Sequence, residues 1–73
     1  MNSSNTGNIG INLHMLLYDK KMSKSELAEK TGISVQMISH IVLGQRMPSL
    51  QNSLKIAEAF GVTVDDLMKG EKA

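Results

Sequence analysis

Few side chains in this sequence have chemistry to offer, and their spacing limits what they can do. There is no cysteine, which excludes a disulfide framework and a thiolate metal site. The two histidines, His14 and His40, stand 26 positions apart, so neither a bound metal nor any other cofactor is expected. Asp65 and Asp66 are neighbouring carboxylates, but Thr63 precedes them at what reads as a helix start, where capping and the helix dipole account for both. No nucleophile stands with a matching base and no glycine-rich phosphate loop occurs, so the chain does not read as an enzyme. What remains is a row of hydrogen-bonding groups in SVQMISHIVLG: the amide of Gln36, the hydroxyl of Ser39 and the imidazole of His40. Such groups recognise a surface.

The elements that hold this row are legible from apolar spacing and caps. Ile9, Leu13, Leu16 and Leu17 mark one face of a first helix from Ile9 to about Lys21. Ser23-Lys24-Ser25-Glu26 matches a capping box, so a second helix begins near Lys24, carries Leu27 and Ala28 inward, and stops at Gly32. Ser34 caps a third helix running to about Leu43, where Gly44 ends it. Ser49 caps a fourth, whose apolar face is expected to hold Leu50, Leu54, Ala57 and Phe60 before Gly61; Ser53 is polar where that face expects leucine, and either bonds to a carbonyl one turn back or sits at the core edge. Thr63 with Asp66 opens a short fifth helix ending near Lys69 and Gly70. No stretch alternates with period two, so the class is all-α, a compact five-helix domain. Residues 1–8 read as a disordered arm, 9–70 as the folded domain and 71–73 as a tail.

Length and charge narrow the partners. A chain of 73 residues makes one domain of modest core, which oligomerisation would help to stabilise. Its longest apolar runs are about four residues, far from the roughly 20 needed to span a bilayer. The first eight residues lack the pattern of a signal peptide. A cytoplasmic protein without a membrane partner is expected. The net charge of +1 does not announce a nucleic acid, but it is unevenly spread: residues 1–46 hold five basic against three acidic side chains, and the remainder three against four. Aromatics are limited to Tyr18 and Phe60, too few to stack the bases of a single strand, so a nucleic-acid partner would be duplex. The six methionines read mostly as core filler, with Met37 and Met47 as exceptions.

The stretch SKSELAEKTGISVQMISHIVLG has the steric pattern of a helix-turn-helix: small Ala28 at the crossing, Gly32 in the turn, Ile33 plugging the elbow, and Ile38 and Ile41 anchoring the second helix. With those two isoleucines inward, about 100° per residue turns Gln36, His40 and Leu43 outward, with Ser39 beside them. Gln pairs with the adenine N6/N7 edge in the major groove, Ser donates or accepts, and His donates to guanine or phosphate.

The segment resembles the phage repressor/Cro-type helix-turn-helix transcriptional regulators. The similarity continues through GQRMPSLQNSLKIAEAFGVTVDDLMKG and covers roughly Ile9 to Gly70. It implies base contacts from Val35, Gln36, Ser39 and His40, with Val35 apolar where many relatives are polar and suited to a thymine methyl. The edges of the face, Lys24, Ser34, Gln45, Arg46 and Ser49, are expected on phosphates. Where many relatives bury an Arg–Glu pair, this chain has Leu17 and Val42, an exchange that is often neutral or stabilising. The resemblance also implies a dimer surface near the last helix, here Val64 and Met68, with Leu67 in the core; a purely monomeric core is the competing reading. A bacterial or phage repressor acting as a homodimer on a pseudo-palindromic operator follows, with no small-molecule ligand evident. A protein-interaction module, such as an antitoxin whose main partner is a toxin, is the alternative. The ending at Glu71-Lys72-Ala73 fits either a whole small regulator or the DNA-binding part of a longer one.

Overall fold

The computed structural model describes residues 7–69. They form α1 (Gly7–Asp19), α2 (Lys24–Thr31), α3 (Val35–Val42), α4 (Leu50–Phe60) and α5 (Val64–Met68), with no strand among the described residues. The all-α, five-helix expectation holds. Two of its boundaries do not: α1 starts two residues earlier than Ile9, taking in part of the expected arm, and ends at Asp19 instead of Lys21. The rest of that arm and the expected tail lie outside the described residues.

Four of the helices start on side-chain caps. Ser23 and Glu26 form the full box, the Glu26 N–H donating to Ser23 Oγ at 3.0 Å and the Ser23 N–H to Glu26 Oε1 at 3.1 Å. Ser34 Oγ and Ser49 Oγ accept from the backbone N–H groups of Met37 and Asn52 at the starts of α3 and α4. Thr63 and Asp66 repeat the reciprocal box at α5. The Thr63 backbone N–H and then its hydroxyl, with Lys69 Nζ 3.7 Å away, hold the Asp66 carboxyl below the usual carboxylate range.

The core is a single cluster of Ile9, Leu13 and Leu17 from α1, Leu27, Ile33, Ile38 and Ile41 from the helix-turn-helix, and Ile56, Ala57, Phe60 and Leu67 from the C-terminal part. Helix α1 packs against α3 and α5, α2 against α3 and α4, and α4 against α5. Leu17 is buried and Val42 packs against the cluster, so both positions are filled by apolar side chains as the sequence suggests.

Two expectations about packing need correction. Leu50 and Leu54 do not face the core; they are 71% and 53% exposed, and the inward row of α4 is Ser53, Ile56, Ala57 and Phe60. The helix is rotated toward α2 and α5 relative to the face its leucines suggest. Ser53 is fully buried, and its Oγ has no hydrogen-bond partner, so it neither bonds back to a carbonyl nor sits at an edge. The methionines are not mainly core filler either. Met22 and Met37 pack against the core, whereas Met15, Met47 and Met68 are exposed.

Two contacts joining α1 to the rest had no sequence signal. An added Cβ at Gly10 would lie 2.7 Å from the Ile41 carbonyl oxygen and 2.9 Å from that of Val42, so glycine lets α1 cross the end of α3 at backbone distance. Asn12 Nδ2 donates to the carbonyls of Leu67 at 2.6 Å and Lys69 at 2.7 Å, tying α1 to the carbonyl end of α5.

Candidate nucleic-acid interface

The turn that sets the angle between α2 and α3 is built from three local devices. Gly32 takes φ +80°, a left-handed conformation that costs an L side chain roughly 1–2 kcal/mol. Ile33 buries its side chain beneath the turn. Thr31, which sequence reasoning passed over, is buried; its hydroxyl donates to the Leu27 carbonyl at 2.7 Å and accepts from the Ile33 N–H at 3.1 Å. A threonine just before a turn glycine was the available signal.

With Ile38 and Ile41 fully buried, α3 presents its other side outward. Val35 and Gln36 are exposed in its first turn, and Ser39 and His40 are half-exposed one turn on. All four expected base-reading residues therefore lie on one face of one short helix. Leu43 caps the helix and is 66% exposed at the end of that face. Met37 sits at the side of the helix and leans on the core.

The residues expected on phosphates stand at three helix starts and in the loop after α3. Lys24 opens α2, and Ser34 and Ser49 stand at the starts of α3 and α4. Both serine oxygens accept backbone N–H bonds, which leaves each hydroxyl hydrogen available to an outside acceptor such as a phosphate oxygen. Gln45 and Arg46 are exposed in the loop after α3, and both of their backbone N–H groups donate to the His40 carbonyl, at 2.8 and 3.3 Å. Gln45 also bonds to His40 through its side chain, Oε1 to Nδ1 at 2.8 Å. That pairing depends on the path of the loop and had no sequence signal.

The surface around α5 differs in character. Leu67 is fully buried, Val64 is half-buried and Met68 is 36% exposed. Between α4 and α5 runs a shallow, largely apolar groove lined by Leu54, Ala57, Glu58, Val62, Thr63 and Val64.

Among the described residues no group of three or more His, Cys, Asp or Glu side chains could hold a metal ion. No described helix is long and apolar enough to cross a membrane. The fold and this outward face define a helix-turn-helix domain. A family model described as "Helix-turn-helix" matches residues 15–67, and the chain belongs to that Cro/C1-type helix-turn-helix family. The chain is 41% identical over 46 residues to an uncharacterized HTH-type transcriptional regulator of Methanocaldococcus jannaschii, covering 63% of this chain and 70% of that one. It is 40% identical over 55 residues, 75% of its length, to an uncharacterized HTH-type transcriptional regulator of Haemophilus influenzae, but spans only 23% of that protein. A stretch of 42 residues, 58% of this chain, is 43% identical to part of a replication factor C small subunit of Thermococcus kodakarensis and spans 5% of it.

Proposed function

We propose that this protein is a sequence-specific, double-stranded DNA-binding transcriptional repressor that acts as a homodimer on a pseudo-palindromic operator. The observation that carries the reading is the outward row on α3, where Val35, Gln36, Ser39 and His40 share one face while Ile38 and Ile41 fix the other in the core. Placed in the major groove, Gln36 would take the adenine N6/N7 edge, Val35 a thymine methyl, and Ser39 and His40 the neighbouring edges. Lys24, Ser34, Gln45, Arg46 and Ser49 would hold the flanking phosphates and set the register. One such face reads too few base pairs for useful specificity, and a second copy doubles them at about one helical turn of spacing. Val64 and Met68 would belong to the dimer surface; the apolar groove that Val64 lines and the exposure of Met68 support that assignment. A repressor of this kind works by occupying the operator, in the cytoplasm of a bacterial or phage-infected cell.

Selection of bound fragments from random duplex DNA, followed by titration of the recovered site, tests the reading. Affinity is expected to fall roughly 10³-fold or more between 50 and 200 mM salt. Gln36→Ala is expected to cost about 1–3 kcal/mol and to relax the preference at one base pair of each half-site. Salt-insensitive binding, or recovery of no common sequence, would refute it.

A further inference from the structure

The hydrogen bond between His40 and Gln45 fixes more than a rotamer. Gln45 Oε1 lies 2.8 Å from His40 Nδ1, and an amide oxygen can only accept. Nδ1 must therefore carry the proton. A neutral imidazole has one N–H, so Nε2 is left as a bare lone pair. Among the described residues Nε2 has no partner, and the ring is half-exposed on the outward face of α3. The clamp is doubled, because the Gln45 backbone N–H donates to the His40 carbonyl at 2.8 Å and holds the loop against the same residue.

We infer that Gln45 is a specificity-determining positioning residue: by holding the neutral His40 ring in its Nδ1–H form, it makes the residue read an amino-bearing base, adenine or cytosine. The inference rests on the DNA-binding reading of α3 and reverses the direction in which the imidazole alone would be expected to work. A histidine that donates from Nε2 can take the acceptors of guanine, of thymine or of adenine N7; one that accepts there can take only the N6 amino group of adenine or the N4 amino group of cytosine, and so rejects guanine and thymine at that contact. Gln45 keeps its own NH₂, which can donate to a neighbouring phosphate or to a base acceptor. The two side chains thus present an acceptor and a donor side by side, and no residue outside the pair is needed to define the pattern.

Two measurements test this, and they fail separately. Long-range proton–nitrogen NMR spectra of the free protein at pH 8 report which ring nitrogen of His40 is protonated. An Nδ1–H ring in the native protein, turning to Nε2–H in Gln45→Met, is the expected result; an Nε2–H ring in the native protein overturns the inference without touching the DNA reading. Selection from random duplexes is then run with the native protein, Gln45→Met and Gln45→Ala. One position of each half-site is expected to favour adenine or cytosine about tenfold over guanine and thymine in the native protein and to admit guanine or thymine in both variants, the other positions staying unchanged. His40→Ala should erase preference at that position alone. Guanine or thymine favoured there by the native protein, or still rejected there by both variants, overturns the inference while leaving the DNA reading intact. Recovery of no common sequence by the native protein removes both. Because the backbone half of the clamp does not depend on the side chain, melting curves of the two Gln45 variants should match the native one, which separates a change of preference from a loss of fold.

Discussion

Ser53 shows how one hydroxyl can work against the rest of a core. It is completely buried in α4, yet its Oγ has no partner. An unsatisfied buried hydroxyl costs about 1–3 kcal/mol, and alanine is the better helix former by a few tenths. The opposing effect is the small void left where the oxygen was, which is less than one methyl group in size and so costs less than the desolvation it relieves. Ser53→Ala is therefore expected to stabilise the domain by about 1 kcal/mol, raising the melting temperature by about 4–8 °C. A fall in melting temperature would mean that the hydroxyl is satisfied in solution. The same residue misleads any reading of the helix from sequence. A polar side chain at position 53 makes the row of Ser53, Ile56 and Phe60 look weaker than the neighbouring row of Leu50, Leu54 and Ala57, and the leucines turn out to be the exposed ones.

At the scale of elements, what was legible was local. Ser23, Ser34, Ser49 and Thr63 each cap the helix that follows, because a hydroxyl meets a backbone N–H two or three residues away whatever the rest of the chain does. Gly32 and Gly61 close their helices for an equally local reason. Even there one stop was missed: Lys21 takes the left-handed conformation after α1 at φ +54°, a place where a glycine would have announced the end. The outward row on α3 was legible because it needs only the two isoleucines to define the other side. What could not be read were contacts set by how helices meet, such as Asn12 on the end of α5, the turn of α4 about its axis, and the His40–Gln45 pair. Gly10 belongs with these. In an exposed helix interior, Gly→Ala gains about 1 kcal/mol, but here the methyl would sit 2.7 Å from a backbone oxygen that cannot move without α3. Overpacking of that kind costs about 1–3 kcal/mol and exceeds the propensity gain. Gly10→Ala is expected to lower the urea midpoint and, by shifting α3, to weaken operator binding as well. A variant at least as stable as the native protein would show that α1 and α3 do not cross this closely.

This domain is small for the proposed task of picking one site in a genome, and its surface carries a patch that a lone domain has little reason to keep. Leu50 and Leu54 are one turn apart on α4 and largely exposed, and the groove beside Leu54 continues through Val62 and Val64 toward α5, where Met68 is part-exposed. A surface used by two identical copies must be self-complementary. A largely apolar groove with Leu54 in its wall can meet that condition, and it needs no charge pairing to do so. The charge is distributed compatibly: the five basic side chains of residues 1–46 lie in the segment that holds the helix-turn-helix, while the later segment, with three basic and four acidic, is left for a copy. If the dimer forms there, placing a carboxylate in the groove puts two like charges close together in a desolvated contact and removes apolar area from both copies. Leu54→Glu should then shift the monomer–dimer equilibrium at least about tenfold toward monomer, some 1.4 kcal/mol. Because Leu54 is half-exposed in the monomer, the helix content and melting of the separated domain should change little. Sedimentation equilibrium over a range of concentrations distinguishes the cases. A native protein that dimerises, paired with a variant that does not and that binds a full operator with the affinity of a single half-site, supports the arrangement. A native protein that stays monomeric at concentrations where it fills the operator, or a variant that dimerises as well as the native chain, places the second copy elsewhere or removes it.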